Sequence, residues 1–407
     1  MQWQLAFTKL LDRWFWLVAV AIGAIVVLVY TVDALRYANG VDLQVYRAGG
    51  VAMRHGIPLY ADGFSQRLGT PTGLLFTYPP SAALFFVPMS LLPFGAALVV
   101  HELVNIAAIG AVTVLVCRHH GWAWRPTALA ALALTAAGPA LEPVRETLHF
   151  GQINLVLLLM VCADCLLPRL GPLPRGLLTG VAAAVKLTPA VLILFFLARR
   201  DWRAAATMAA TSAAITLVAL VVAPHDSLQF WTNTLFHSDR IGDVFYSYNQ
   251  SLSGELARLG LSGGLRQAVW ALGVLVVVPA GFLAARRAVR AGDELGALLV
   301  VAAVGLIASP ISWDHHFVWV LLAVPTLALV PRGRRWLAVL AIAIFTAPLH
   351  IIWPNTREVH WTSWWQHLTG NLYLVAAIGV VIAVGLRRTA VAEPEVENAP
   401  VMAWSRA

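Results

Sequence analysis

Residues 268–290 read AVWALGVLVVVPAGFLAARRAVR, an apolar run without alternation that closes on Arg286, Arg287 and Arg290. A bilayer core is crossed by about 20 mostly apolar residues in helical conformation, and cytoplasmic flanks collect Lys and Arg. The stretch therefore predicts a membrane-spanning helix that ends inside. The same pattern extends outward from it. Apolar runs near 203–223, 296–311, 316–330, 336–352 and 370–386 are divided by short basic clusters: Arg199, Arg200 and Arg203; Arg332, Arg334 and Arg335; Arg387 and Arg388. Alternating crossings hold all of them on one side. The arginine-poor side then carries a large outer loop, 224–267, the 309–316 segment and the 353–370 loop.

Composition supports this class. The chain has 407 residues, 59% hydrophobic and 12% charged, with a mean hydropathy of +0.75. A soluble domain averages about 25% charged and has too little interior to hide so much apolar sequence. The net charge of +8 resides in the loop arginines, so it reads as topology and not as nucleic-acid affinity. The first apolar run, 15–30, has no small-residue cleavage site after it and is read as a retained span, its N-terminus held inside by Lys9 and Arg13. Cys117, Cys162 and Cys165 fall in apolar surroundings. The Cys162-Ala-Asp-Cys165 spacing reads as small core residues, neither a redox nor a metal site.

The first half follows less simply. Residues 31–80 form a first outer loop. Arg118 and Arg125 belong inside, so 81–116 crosses an odd number of times, although it is long enough for two passes. The apolar segment 176–198 lies between Arg169/Arg175 and Arg199/Arg200 and is interrupted by Lys186-Leu-Thr-Pro189. Two readings stand: a re-entrant pair of half-helices around a cavity near Lys186, or a true span that breaks the charge rule. Irregular backbone at membrane depth needs protein or a water-filled cavity around it. The expectation is thus an all-α polytopic membrane domain over 1–388, with roughly 10–13 transmembrane or re-entrant helices. A disordered cytoplasmic tail follows at 389–407, rich in Glu and Pro.

Polar residues concentrate on the outer side. The first loop holds Asp33, Asp42, Arg47, Arg54 and His55. Glu142, Arg145, Glu146 and His149 precede Gly151-Gln-Ile-Asn154. Tyr248-Asn-Gln-Ser251 lies in the large loop, Ser312-Trp-Asp-His-His316 at a turn, and Arg357, Glu358 and His360 in the last outer loop. Acid, base and cation at one interface suit chemistry on a lipid headgroup, whereas a transporter more often places charge at the midplane. Each candidate also has a structural reading. Asp42 precedes an amphipathic stretch, 43–55, with Val45, Ala48, Gly49 and Ala52 on one face, and an N-cap would explain it. Glu142/Arg145 and Glu146/His149 have the i,i+3 spacing of helical ion pairs. Adjacent histidines diverge by about 100° on a helix, so His315-His316 chelates one ion poorly but can donate to an anion. Lys186 in an apolar run costs roughly 3 kcal/mol and requires an anionic partner, either a carboxylate such as Asp164 or a bound phosphate.

Several segments carry a family resemblance: Asp42-Leu-Gln-Val-Tyr46, Gly56-Ile-Pro-Leu-Tyr60, Tyr78-Pro-Pro80, Gly151-Gln-Ile-Asn154, Lys186-Leu-Thr-Pro189, Asn249-Gln-Ser-Leu252 and Ser309-Pro-Ile-Ser-Trp-Asp-His-His316. In this order, over about residues 33–388, they resemble the actinobacterial polyprenol-phosphate-mannose-dependent α-(1→2)-mannosyltransferases, glycosyltransferase family 87. The resemblance implies a GT-C membrane fold and a catalytic aspartate in the first outer loop, carried onto Asp42. It also implies a histidine near the donor phosphate, either His315 or His316. The donor would be polyprenyl-phosphate-mannose, and the acceptor a phosphatidylinositol mannoside or lipomannan of the cell envelope.

That chemistry fits the residues. A β-linked donor and an α-linked product require one inverting displacement, in which Asp42 takes the acceptor proton. The growing charge on the lipid phosphate is met by His315, His316, Lys186 and Arg145. Substrate contacts are assigned to Tyr46, Tyr60, Glu142, His149, Gln152, Asn154, Asn249 and Gln250. No tight carboxylate cluster is visible in the sequence, so no metal or other cofactor is expected. The active site is expected on the extracytoplasmic face of the plasma membrane. The rivals are a lipid or sugar transporter, a lipid-diphosphate glycan polymerase or ligase with arginine-rich outer loops, and the same fold using arabinose or glucose.

Overall fold

A computed structural model describes residues 38–70, 73–167, 171–237, 240–327, 335–354 and 361–386, with scattered positions between 14 and 36. Lys9, Arg13, Asp33, Arg169, Arg332, Arg334, Arg357, Glu358, His360, Arg387, Arg388 and the 389–407 tail lie outside the described residues. Those described are helical, with no strand among them; one isolated bridge pairs Asn249 with Trp313.

The first outer loop carries α1, Val41–His55, which starts after Gly40 (φ 54°) and stops at Gly56 (φ 64°). Both glycines take the left-handed conformation that bulkier residues avoid. Val45, Ala48, Gly49 and Ala52 are buried, as the amphipathic pattern predicts. Asp42 is the second residue of the helix and not its cap, so the capping explanation falls away. Short helices Pro80–Phe85 and Val87–Ser90 precede α2, Phe94–His119. Prolines 79, 80, 88 and 93 punctuate that stretch, because each lacks an N–H and resists a helix interior. Residues 81–116 therefore hold one long crossing and a broken approach to it, not two passes.

Next come α3, Trp124–Ala137, and α4, Glu142–Phe150, which turns away by 78° and lies across the end of the bundle. After α5, Asn154–Leu166, the chain enters the interrupted segment: α6, Leu177–Val185; extended Lys186; a 3-10 turn, Thr188–Leu192; and α7, Ile193–Ala198. Then α8, Trp202–Val222, crosses in full. α6 packs on α8 through glycine: a Cβ on Gly176 would stand 2.1 Å from the Ala204 carbonyl oxygen, and one on Gly180 2.7 Å from that of Met208. Gly176 faces Ala204 and Gly180 faces Met208, so the two helices run in the same direction. The chain between them must double back, and Arg175 meets Asp201 at 3.8 Å where the ends rejoin. The segment is the re-entrant pair, not a span that violates the charge rule. Lys186 stands at its turn, about 15 Å from the arginine end at the rise of a helix.

Later α-helices are α9, Pro224–Thr232; α10, Leu252–Arg258; α11, Gly263–Arg290; α12, Glu294–Ala308; α13, Val320–Leu327; α14, Arg335–Thr346; α15, Trp364–Gly370; and α16, Leu372–Gly385. α15 and α16 are bent by 75°. Only 17% of the most apolar stretch of α8, and likewise of α11, is covered by protein, leaving Val221, Leu275 and Val276 exposed, as lipid-facing surfaces are. Arg199 pairs with Glu294, and Arg287 donates to the Gly385 carbonyl at 3.0 Å. These contacts gather the arginine-bearing ends of four separate segments at one end of the molecule. The polar motifs converge at the other.

Candidate active site

Three chain segments build the floor of a cavity at the arginine-poor end. The Gly151 turn (φ 66°) packs against Leu43 of α1, where an added Cβ would stand 2.8 Å from the Leu43 Cβ. That approach brings Gln152 under α1, and the Tyr46 hydroxyl donates to Gln152 Oε1 at 2.7 Å. His101 and Asn105 of α2 hold the Gln152 carbonyl at 3.1 and 3.3 Å. Asn154 Nδ2 donates to the His315 carbonyl at 2.9 Å, and Thr147 Oγ1 does so at 3.2 Å, locking the histidine turn to α4 and α5.

Lys186 enters this floor from the broken segment. Its Nζ lies 2.8 Å from Asn154 Oδ1, 3.4 Å from Gln152 Oε1 and 3.3 Å from His316 Nε2, and it sits 5.5 Å from the Tyr78 ring centre. All of these partners are neutral. The alternative carboxylate is engaged elsewhere: Asp164 accepts from Gly176 N, Thr179 N and Thr179 Oγ1 at 2.8–2.9 Å, fixing the start of α6. An ammonium that donates to His316 Nε2 leaves that imidazole protonated on Nδ1, and His316 Nδ1 has no hydrogen-bond partner. His315 Nε2 has none either.

These groups line one cavity of about 280 Å³, walled by Asp42, Tyr78, Gln152, Lys186, His315 and His316, with Trp313 and Arg240 toward the large loop. Asp42 is the single carboxylate on its wall among the described residues. Burial raises the Asp42 pKa above its usual value, while His315, Gln152 and Lys186 pull it back down. The cavity thus opposes one basic carboxylate to an ammonium with neutral partners and to two imidazoles, each with a ring nitrogen that has no hydrogen bond. Such an arrangement can accept a proton on one side and stabilise a phosphate on the other.

Other sequence candidates are placed away from this wall. Tyr60 is buried and donates to the Tyr78 carbonyl at 2.6 Å, supporting the wall from behind. Arg145 is exposed and pairs with its neighbour Glu146 at 3.3 Å. His149 meets Asn39 at 3.0 Å. Asn249 and Gln250 are fully buried: Asn249 bonds the Val244 carbonyl and Ser312 N, and Gln250 the Ser247 and Gly370 carbonyls. Glu142 joins Asp314 and His350 in a sealed cluster whose acid and imidazole atoms lie within 4.8 Å of one another. The absence of a tight carboxylate cluster, expected from sequence, is corrected here: three distant segments assemble one behind the cavity. The sequence reading also passed over Tyr78, Arg240 and His350 as site residues. Tyr78 stood in a motif already quoted, whereas Arg240 and His350 carry no local signal.

Known proteins resemble the chain over most of its length. The profile of glycosyltransferase family 87 matches residues 76–310. The chain is 39% identical over 373 residues to a polyprenol-phosphate-mannose-dependent alpha-(1-2)-phosphatidylinositol mannoside mannosyltransferase of Mycobacterium tuberculosis, covering 87% of this chain and 86% of that one. It is 37% identical over 362 residues to the corresponding phosphatidylinositol pentamannoside mannosyltransferase of Mycolicibacterium smegmatis, covering 84% of each. An alpha-(1->3)-arabinofuranosyltransferase of Mycobacterium tuberculosis is 30% identical over 190 residues, 46% of this chain and 42% of its own. No solved structure matches the chain. It belongs to glycosyltransferase family 87, multi-pass membrane glycosyltransferases of the GT-C type.

Proposed function

We propose that this enzyme transfers mannose from polyprenyl-phosphate-mannose to a phosphatidylinositol mannoside, forming an α-1,2 linkage with inversion. The observation that carries the reading is the cavity itself, in which Lys186 Nζ has only neutral hydrogen-bond partners, His315 Nε2 and His316 Nδ1 have none, and one carboxylate, Asp42, shares the wall. The donor phosphate lies against Lys186, His315 Nε2 and His316 Nδ1. The acceptor hydroxyl oxygen attacks the anomeric carbon from the face opposite the phosphate. The bond from that carbon to the phosphate oxygen breaks, the electron pair leaves on the lipid phosphate, and the hydroxyl proton passes to Asp42. Fixed donors aimed at the growing phosphate charge are already in place and need not reorganise.

The polyprenyl tail lies in an apolar groove of about 450 Å³ between the broken segment and α8, lined by Ala183, Ala190, Ile193, Met208 and Leu217. Trp231 closes it, and its neighbour Phe230 borders the cavity, so phosphate and tail sites adjoin. Cation duties toward the phosphate are met by side chains, and transfer is metal-independent. The arginine-bearing end is cytoplasmic, which puts the cavity on the extracytoplasmic face.

The test is transfer from synthetic polyprenyl-phosphate-mannose to phosphatidylinositol mannosides of defined mannose number, with product linkage read by NMR. A new α-1,2-mannosyl residue is expected on one acceptor. Transfer of arabinose in place of mannose, or no transfer by folded protein, would contradict the reading.

A further inference from the structure

The sealed cluster behind the cavity has no part in the displacement as drawn, yet it touches the histidine that does. Asp314 Oδ1 accepts from His315 N at 2.6 Å and lies 3.2 Å from His315 Nδ1. Its Oδ2 lies 3.4 Å from His350 Nε2. Glu142 accepts from the Tyr373 hydroxyl at 2.8 Å and stands 3.7 Å from His350 Nε2. Side chains of Glu142, Asp314 and His350 are at most 3% exposed. The His350 ring is fenced by Tyr248 and Tyr373, with centres 5.4 and 5.3 Å away.

Two buried carboxyls within 4.8 Å of one another repel when both are ionised, which favours one proton held between the pair. The donors decide where it sits. Asp314 faces a backbone N–H and two imidazole nitrogens, whereas Glu142 has one phenol and a more distant imidazole. Charge therefore settles on Asp314 and the proton on Glu142. In keeping with this, burial and the Asp314 carboxylate push Glu142 up to about 10, while at Asp314 burial pushes up but His315, His350 and Glu142 together outweigh it and hold the carboxyl well below the usual range.

We propose that Glu142 is a positioning residue that works as a neutral acid: it donates a hydrogen bond to Asp314 and keeps its proton, and ionised Asp314 accepts from Nδ1–H of His315 in its imidazolium form, so that Nε2–H points at the donor phosphate. The assignment rests on the proposed phosphate site. It gives Asp314 a task that its exclusion from the cavity would otherwise leave unexplained, and it places the support for one catalytic donor on four separate segments: α4, the histidine turn, the Leu349–Ile352 turn and α16.

Glutamine is the discriminating substitution. Its amide oxygen can accept from Tyr373 and its NH₂ can donate to Asp314, so it mimics a protonated Glu142 and no other state. Purified full-length wild type, Glu142→Gln, Glu142→Ala and Asp314→Asn would be compared for mannosyl transfer, for competitive binding of farnesyl phosphate, and for thermal unfolding. Glu142→Gln is expected to keep wild-type kcat and farnesyl phosphate affinity. Asp314→Asn should lose on the order of 10²-fold in kcat, as when one preorganised donor is misdirected, with weaker farnesyl phosphate binding and an unchanged acceptor KM. Independently of activity, infrared spectra at neutral pH should show a protonated-carboxyl band that vanishes in Glu142→Gln. Absence of that band in the wild type, or a folded Glu142→Gln as impaired as Asp314→Asn, would overturn the inference. Failure of the wild type itself to bind farnesyl phosphate would instead remove the phosphate site on which it rests.

Discussion

Two buried polar clusters occupy the same end of the molecule, and both are built from the motifs that the sequence singles out. One is the knot around Asn249, Gln250 and Arg258. Arg258 is fully buried, yet its guanidinium reaches the Tyr246 and Asn249 carbonyls at 2.8 and 3.0 Å and Asn371 Oδ1 at 2.5 Å. Asn249 and Gln250 spend their donors and acceptors on backbone, tying the large loop to the histidine turn and to α15. The other is the cavity floor around Lys186. There the ammonium has only neutral partners at hydrogen-bond distance, and both nitrogens of His315 and Nδ1 of His316 have no hydrogen bond. Buried polar groups in proteins are ordinarily satisfied. The knot too leaves one donor, Arg258 Nε, without a hydrogen bond, but it lies 3.7 Å from Glu255, whereas His315 and His316 line a cavity; spare hydrogen-bonding capacity beside open space, not polarity or burial, separates the working cluster from the structural one.

That contrast can be broken by substitution on either side. The largest effect is expected for Lys186→Met, which keeps the stem but removes the charge. The fold should persist, since a buried charge with only neutral hydrogen-bond partners is lost, while kcat/KM for the donor falls on the order of 10²–10³-fold, as when a preorganised phosphate contact is removed. Steady-state kinetics beside a melting curve would check it; a loss of stability with normal kinetics would place Lys186 with the knot. Arg258→Met should do the reverse. It leaves several buried carbonyls without donors, at about 1–3 kcal/mol each, so the melting temperature drops while kcat per folded molecule stays unchanged.

A pH profile sharpens the cavity side. Asp42 must be ionised to take the acceptor proton. Burial raises its pKa, so the acid limb of kcat/KM should fall at a higher pH than for an ordinary carboxyl. Lys186 is one of the groups that lower it, and Lys186→Met should move the limb further up in any residual activity. An acid limb at the ordinary carboxyl position would remove Asp42 as the base. The smallest effect is expected at Arg145, whose exposed pair with Glu146 is worth at most about 1 kcal/mol. Arg145→Ala should leave transfer within a few-fold of wild type in the same assay.

Much of this was legible in the sequence, and the remainder was not for physical reasons. Arginine clusters fixed the ends of α8, α11 and α12, and the Lys186-Leu-Thr-Pro189 break in an apolar run announced both a re-entrant turn and a cavity. Period alone showed which face of α1 is buried. Asp42, Lys186, Gln152, His315 and His316 were named from chemistry and resemblance, and they share one wall. Asn249 and Gln250 read like substrate contacts because their partners are main-chain carbonyls, which no residue identity reveals. Glu142, Asp314 and His350 looked unrelated because only the folded chain joins α4, the histidine turn and the turn before α15. Arg145 at i,i+3 from Glu142 invited an ion pair that the fold replaces, turning Glu142 inward to Tyr373 and Arg145 outward to Glu146.

The most direct test of the central claim is mannosyl transfer by wild type and Asp42→Asn, each purified and assayed with EDTA present, beside their melting curves. Because the folded protein raises the Asp42 pKa, its ionised form destabilises the fold, and neutral Asn should unfold at the same or a higher temperature. Transfer by the wild type in EDTA, with Asp42→Asn folded but slower on the order of 10²–10⁴-fold, is the predicted result. A folded Asp42→Asn that transfers at the wild-type rate, or a wild type silenced by EDTA, would contradict the account.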